Sequence, residues 1–149
     1  MKNFKFASLG DAPMVARLVD ALLVELTGTP SRYEDRLASA QNLLANGGSG
    51  NAILAFDEGQ PIGCLILLEV ETVYAAGKIG VVTELYVDPN FRSRGTAGQL
   101  IETACSFGRE KSWPVIEVTL PPQPAWKRTL AFYARNNFVE IGPRMKRAL

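Results

Sequence analysis

The chain has 149 residues, the length of one domain, and 47% of them are hydrophobic, which is enough to form a core. Its 16 lysines and arginines nearly balance 15 aspartates and glutamates, and the net charge of +1 argues against a nucleic-acid partner or an anionic membrane surface. There is no histidine, so Ser-His-Asp and Cys-His catalysis in their standard forms and His-containing zinc sites are excluded. Any proton transfer near neutral pH must use a carboxylate, a tyrosine, a lysine, a cysteine or water. We expect a single domain over residues 1–149.

The cysteines and the apolar runs bear on the cellular compartment. Cys64 and Cys105 are too few for a disulfide framework, and their apolar neighbours predict reduced core side chains and no metal site. The first residues lack the apolar stretch of a signal peptide. The longest apolar runs, such as residues 62–68, are far shorter than the roughly 18 residues that span a bilayer. These observations predict a cytoplasmic protein without a membrane segment.

The first third of the chain predicts a strand followed by two helices. Residues 4–9 alternate in polarity and favour a strand. Asp11 is a candidate N-cap, and apolar residues then recur at helical spacing until Gly28, which ends the helix. Ser31-x-x-Glu34 has the pattern of a capping box, so a second helix is expected there, and a glycine-rich loop follows at residues 46–50.

The rest of the chain predicts strands interrupted by two more helices. Residues 52–56 and 61–70 are expected to form a hairpin, and residues 79–87 are rich in β-branched side chains and favour a third strand. Helices are predicted at residues 95–111 and 126–136, and the remaining predicted strands are residues 115–120, 138–141 and 144–149. This order predicts an α/β (α+β) fold with a mixed sheet of about seven strands and about four helices on both its faces.

A loop between the strand at residues 79–87 and the helix after it has the composition of an anion site. Backbone N–H groups at a helix start lack partners within the helix, and the helix dipole there favours negative charge. Gly95 allows a phosphate to approach the backbone, while Arg92 and Arg94 offer charge-assisted contacts. The loop lacks the Gly-Lys-Ser/Thr ending of a Walker A motif and is not Gly-x-Gly-x-x-Gly. It therefore predicts a phosphate or pyrophosphate cradle of another kind.

The same residues resemble a known family. Arg92-x-x-Gly95-x-Ala97 after a Glu-Leu-Tyr-Val-x-Pro strand end is similar to the acetyl-CoA signature of the GNAT superfamily of N-acetyltransferases. Residues 130–138, with Phe-Tyr followed by Asn137 and a phenylalanine, are similar to the family's Phe-Tyr-x-x-x-Gly-Phe segment. The predicted order of elements also matches, over essentially the whole chain. The resemblance implies a GNAT-like fold with a splayed central sheet.

The resemblance also implies where acetyl-CoA binds. The pantetheine arm is expected to pair with the exposed main chain of the strand before the loop, at Leu85, Tyr86 and Val87. The pyrophosphate is expected on the N–H groups of the loop and first helical turn, which are those of Arg92, Ser93, Arg94, Gly95, Thr96, Ala97 and Gly98.

The resemblance further implies a direct attack of a neutral amine on the thioester. Tyr133 stands where the family commonly has a tyrosine that protonates the departing CoA thiolate. Glu84 is the candidate base that deprotonates the amine, directly or through water, with Glu71 and Glu25 as alternatives. The residues also fit plainer roles: Tyr133 has the helical spacing of a core residue, and Glu84 fits a solvated strand residue.

Two positions depart from the family pattern. Asn137 replaces the usual glycine, and asparagine tolerates a left-handed backbone, so the turn is expected to persist. Trp126 stands where the family often has an asparagine, which removes one amide from the expected surroundings of the cofactor arm.

These observations predict an N-acetyltransferase that uses acetyl-CoA, needs no metal and acetylates the primary amine of a small molecule. One alternative is a GNAT-like domain that binds acyl-CoA without transferring it, as a sensor or interaction module. Another is an acetyltransferase for protein N-termini or lysines. A homodimer is expected because the family often forms one, and no nucleic-acid or membrane partner is expected.

Overall fold

The computed structural model describes residues 1–48 and 50–149. Ser49, inside the glycine-rich segment predicted as a loop, lies outside the described residues. The chain forms two compact units, Met1–Thr119 and Leu120–Leu149. A single domain over the whole chain stays a prediction.

The first unit is built on a mixed sheet of five strands that follow one another in chain order. Neighbouring strands from the first to the fourth are antiparallel, and the fifth is parallel to the fourth. The strands are β1 Lys2–Phe6, β2 Gly50–Asp57, β3 Gln60–Thr72, β4 Gly77–Val87 and β5 Ile116–Val118. The predicted mixed sheet is confirmed.

The helices begin and end close to the predicted positions. They are α1 Ala12–Thr27, α2 Tyr33–Leu44 and α3 Thr96–Glu110 in the first unit, and α4 Lys127–Arg135 in the second. Short 3₁₀ helices, Leu9–Asp11 and Pro89–Phe91, follow β1 and β4. The first long helix ends as predicted at Gly28, whose φ of 69° is the left-handed conformation that commonly closes a helix.

Helices cover both faces of the sheet, as predicted. On one face, Val15 of α1 and Ala40 of α2 share a buried core with Cys64 of β3. Successive side chains of a strand point to opposite faces, so the neighbouring Gly63 belongs to the other face. There a Cβ added to Gly63 would lie 3.4 Å from Cδ1 of the fully buried Leu100 in α3. The sheet therefore separates α1 and α2 from α3.

The predicted capping box at the start of α2 is wrong. The Ser31 hydroxyl donates to Asp20 Oδ2 at 2.5 Å, and Arg32 N donates to Asp20 Oδ1 at 2.8 Å. These bonds hold the pKa of Asp20 below its usual value. Because Asp20 belongs to α1, a partner from another helix takes the hydroxyl that the local motif assigned to α2.

The two strands predicted at the end of the chain are also wrong. Among the described residues, no strand follows β5, so the sheet has five strands rather than about seven. A strand needs a neighbour for its N–H and C=O groups and a buried face for its side chains. Val139 is 83% exposed and Ile141 is 79% exposed. The apolar pattern of residues 138–141 is present, but Val139 and Ile141 lie exposed and the segment has no strand partner among the described residues.

Candidate active site

One edge of β4 opens halfway along the strand. β5 pairs with β4 only over residues 80–82, and the last bond between these chain segments runs from Thr119 N to the Val82 carbonyl at 3.3 Å. Beyond this point, residues 83–87 of β4 still pair with β3. Among the described residues of the first unit they have no strand on the other side. The structure therefore provides the open edge that a splayed sheet requires.

A β-bulge at the opening decides which face each side chain takes. Leu67 pairs with Val82, but Ile66 pairs with Glu84, which leaves Thr83 as the extra residue. Paired residues lie on the same face of a sheet, and Ile66 belongs to the core beneath α1 and α2. Glu84 therefore lies on the face of α1 and α2, opposite the face that carries α3.

After the bulge, the N–H and C=O groups of every second residue of β4 point toward the open edge. Asp88 N donates to the Ile62 carbonyl at 2.8 Å, so Tyr86, two residues earlier, also directs its main-chain groups toward β3. Leu85 and Val87 direct theirs toward the open edge. Of the three main chains assigned to the pantetheine arm from the sequence, the structure places these two at the edge and turns Tyr86 away.

The loop after β4 presents a run of N–H groups. Ser93 and Gly95 have positive φ angles of 62° and 79°, and the first bond of α3 runs from Gln99 N to the Gly95 carbonyl at 3.0 Å. In the part of the chain that the structure describes, the N–H groups of residues 93–98 have no acceptor. Backbones that alternate in this way form anion-binding concavities, and the dipole of α3 adds positive potential.

Three further features of the loop fit an anionic ligand. The hydroxyl of Thr96 is buried, with 2% of the residue exposed, and has no hydrogen-bond partner among the described residues. A Cβ added to Gly95 would meet nothing within 4 Å, so the space beside the backbone is open. The guanidinium of the exposed Arg94 lies 5.5 Å from the ring of Phe91. The loop therefore suits the phosphate groups of a coenzyme A thioester.

The side chain of Arg92 contacts β4 and α1. Its Nε donates to the Val87 carbonyl at 2.8 Å, and its Nη2 pairs with Glu25 Oε1 of α1 at 2.8 Å. The guanidinium lies 5.7 Å from the Tyr86 ring. Arg92 thus links α1 to the end of β4, and Glu25, an alternative base from the sequence, is engaged in this ion pair. Glu25 is 67 positions away in the chain, so no local pattern signals the contact.

Glu84 belongs to the open half of β4 and lies on the α1 and α2 face. It accepts a hydrogen bond from the Thr83 hydroxyl of the bulge. The neighbouring Cys64 is buried, and burial together with the Glu84 charge raises the pKa of its thiol, which stays protonated. Glu71 is exposed, and its main chain lies opposite Lys78 of β4, toward the far end of β3 and away from the bulge.

The second unit contains Tyr133, in α4. The residue is 6% exposed, and its ring lies 5.3 Å from that of Phe132 and 5.5 Å from that of Phe138. Burial raises the pKa of the Tyr133 hydroxyl to about 12, so it is protonated at neutral pH. Asn137 adopts the expected left-handed backbone, with a φ of 69°. Trp126 precedes α4, and its carbonyl accepts from Gln123 Nε2 at 3.2 Å.

The described residues hold no group of three or more His, Cys, Asp or Glu side chains that could bind a metal ion. None of the helices in the described part of the chain is long and apolar enough to cross a membrane.

A comparison with protein-family models identifies one family. The family model for an acetyltransferase (GNAT) domain matches residues 48–140. A search of curated protein sequences finds no match. The chain resembles a ribosomal-protein-alanine N-acetyltransferase from Brucella melitensis biovar Abortus 2308, with 21% identity, a TM-score of 0.78 and coverage of 100% of this chain and 99% of the other.

Two other solved structures are similar over nearly the whole chain. One is a predicted acetyltransferase with acetyl-CoA from Clostridium acetobutylicum, with 17% identity, a TM-score of 0.82 and coverage of 99% of this chain and 96% of the other. The second is an aminoglycoside acetyltransferase from an uncultured soil metagenomic sample in complex with trehalose, with 21% identity, a TM-score of 0.79 and the same coverage of 99% and 96%. At these identities the likeness shows a shared fold.

Proposed function

The chain belongs to the GNAT acetyltransferase family, and from that premise we propose that it transfers an acetyl group from acetyl-CoA to the primary amine of a small molecule. The observation that carries the proposal is the open edge of β4. It leads directly into a loop whose six N–H groups at residues 93–98 have no acceptor among the described residues. The open edge fits an extended chain, and the N–H groups of the loop fit phosphates at the end of that chain. Acetyl-CoA has an extended pantetheine arm that ends in a pyrophosphate.

The main chains of Leu85 and Val87 would hold the pantetheine arm as an added strand. One acceptor on this edge, the Val87 carbonyl, already binds Arg92, so the Leu85 N–H and C=O and the Val87 N–H remain for the arm. The pyrophosphate would lie on the N–H groups of the loop, with the positive end of α3 behind it. Acetyl-CoA supplies the thioester carbonyl that the amine attacks.

Glu84 is the proposed base. An amine is protonated at neutral pH and must lose a proton before it attacks. The anion-binding loop begins α3 on one face of the sheet, whereas Glu84 lies on the other face. A thioester along the edge of β4 would then meet an amine from the α1 and α2 face, where the Glu84 carboxylate accepts the proton directly or through water.

Tyr133 is the proposed proton donor to the CoA thiolate. The support is the resemblance of its segment to the family and a pKa of about 12, which keeps the hydroxyl protonated throughout the pH range of an assay. The presence of this tyrosine favours transfer over the alternative of an acyl-CoA sensor. A pH–rate profile limited by the amine should therefore rise with pH without a falling limb from Tyr133 below about pH 10.

Similar solved structures suggest which acceptor amines to test. Similar folds include an aminoglycoside acetyltransferase and a ribosomal-protein-alanine N-acetyltransferase. A panel should therefore contain aminoglycosides, polyamines, amino acids and a peptide with N-terminal alanine. We expect release of the CoA thiol with a small amine, and a loss of about 100-fold in Tyr133→Phe because a proton donor is missing. Binding of acetyl-CoA without thiol release from any amine would favour the sensor.

Cytoplasmic location and a homodimer also stay predictions. Size-exclusion chromatography with light scattering tests the second, and a mass of one chain at micromolar concentration would contradict it.

A further inference from the structure

The positively charged side chains near the N–H groups of residues 93–98 differ in whether their charge is balanced by a carboxylate. Arg92 is paired with Glu25 and bonded to the Val87 carbonyl, so its charge is largely balanced within the protein. Arg94 is exposed and lies over Phe91. A third cation, which no sequence pattern assigned to the loop, comes from β1.

That cation is Lys2. Its Nζ donates to the Arg94 carbonyl, in the middle of the loop. Alternation along β1 places Lys2 on the same face as Phe6, whose ring lies 5.1 Å from that of Phe107 in α3. Lys5 has the opposite parity, and its Nζ pairs with Asp11 at 3.1 Å. The edge strand thus sends one lysine to the α3 side and one to the α1 side.

Lys2 places a positive charge at the loop that begins α3. The N-terminus of a helix carries partial positive charge, so a cation there is repelled, whereas an anion is attracted. Lys2 forms no ion pair with any carboxylate of the described residues. An ammonium group has three N–H donors, and the Arg94 carbonyl occupies one of them. Two donors and a full charge remain for a ligand at the loop.

We propose that Lys2 binds the pyrophosphate of acyl-CoA together with the N–H groups of residues 93–98. This inference rests on the proposed function, because it names a further ligand of the same cosubstrate. Lys2 would contribute a charge that Arg92 does not supply. A negative pyrophosphate at the loop would be attracted both by the Lys2 ammonium and by the positive end of α3.

Calorimetric titration of acetyl-CoA into Lys2 variants tests the proposal. Lys2→Met should weaken binding about tenfold, the effect of losing one charge-assisted hydrogen bond. Lys2→Gln should lose about as much, because it keeps an N–H donor for the Arg94 carbonyl but has no charge. Lys2→Arg should restore most of the affinity. Lys5→Met, on the same strand and the other face, is the matched control and should bind as the wild type does.

Each contrary result has its own meaning. Lys2→Met removes both the hydrogen bond to the Arg94 carbonyl and the charge, whereas Lys2→Gln removes only the charge. Wild-type affinity in either variant would overturn the proposal. The tenfold difference should persist with 3′-dephospho-CoA, and its disappearance would overturn the assignment to the pyrophosphate. If the wild-type protein does not bind acetyl-CoA, the proposed function fails instead. Thermal unfolding of each variant separates lost binding from lost folding.

Discussion

The two halves of β4 use the same extended backbone for different purposes. In the half that β5 covers, a Cβ added to Gly80 would lie 2.5 Å from the Trp113 ring, and one added to Gly108 would lie 2.8 Å from it. In the half after the Thr83 bulge, the edge is open, and a Cβ added to Gly95 in the following loop would meet nothing within 4 Å. Glycine makes room for an indole in the covered half and leaves space beside the backbone in the loop.

The carboxylates of the two halves differ in the same way. Glu69 pairs with Gly80 across the sheet, and its Oε2 accepts from Trp113 Nε1 at 2.8 Å. That bond is the main cause of the lowered pKa of Glu69. Glu84 lies beyond the bulge and accepts from the adjacent Thr83 hydroxyl. One carboxylate therefore holds the packing of the covered half, and the other is placed at the open edge.

The largest expected effect is a loss of kcat when Glu84 is replaced by glutamine, and the same replacement at Glu69 is the comparison. Glu84→Gln should lower kcat about 100-fold and change the pH dependence of the rate, because the base is lost. Glu69→Gln should leave kcat unchanged. The ionised Glu69 stabilises the folded protein at pH values above the usual pKa of a glutamate, and this contribution is lost as the pH falls through the lowered pKa. Glu69→Gln should remove that contribution. Steady-state rates and thermal unfolding between pH 3 and 8 measure both, and equal rates in Glu84→Gln and wild type would remove Glu84 from the mechanism.

The next effect is on stability alone. Gly80→Ala should lower the free energy of unfolding by about 1–3 kcal/mol, because the new Cβ overlaps the Trp113 ring. The affinity of the folded protein for acetyl-CoA should not change. Gly10→Ala is the control, since its nearest contact would be Ser8 Oγ at 3.8 Å. Chemical denaturation measures both variants, and an undisturbed Gly80→Ala would show that the covered half is not tightly packed.

The smallest effect concerns the ion pair that joins α1 to the open half. Glu25→Gln should raise the KM for acetyl-CoA about threefold, because Arg92 keeps the Val87 carbonyl but loses its anchor on α1, and partly exposed pairs contribute little. Glu102→Gln breaks a more exposed pair with Arg109 on α3, which has Nη1 and Oε1 2.9 Å apart, and should leave that KM unchanged. A KM raised equally by both substitutions would contradict a specific role for the Arg92 link.

Local patterns in the sequence predicted the elements on which the site is built. Helical periodicity and Gly28 predicted α1, and the strand, arginine and glycine order predicted that β4 leads into a loop before α3. These features depend on residues that are close in the chain. Their spacing determines which face of a helix or strand is apolar and where the element ends.

The details that shape the site depend on distant partners. The bulge at Thr83 arises from pairing with β3, and the Glu25–Arg92 and Lys2–Arg94 contacts join residues 67 and 92 positions apart. The Ser31 hydroxyl donates to Asp20 of α1 and does not cap the start of α2. The strand pattern at residues 138–141 likewise lacked a pairing partner. Periodicity specifies which face of an element is apolar, but it does not specify what lies against that face.

The most direct test of the account is calorimetric titration of acetyl-CoA into the wild type, Gly95→Glu and Gly47→Glu. Both glycines have a φ near 80° and open space for a side chain, so the two variants carry the same strain and the same new charge. We expect micromolar binding by the wild type and by Gly47→Glu, and a loss of about 100-fold in Gly95→Glu, where the carboxylate repels the pyrophosphate. Binding that is absent in the wild type, or equal in the two variants, would contradict the proposed acetyl-CoA site.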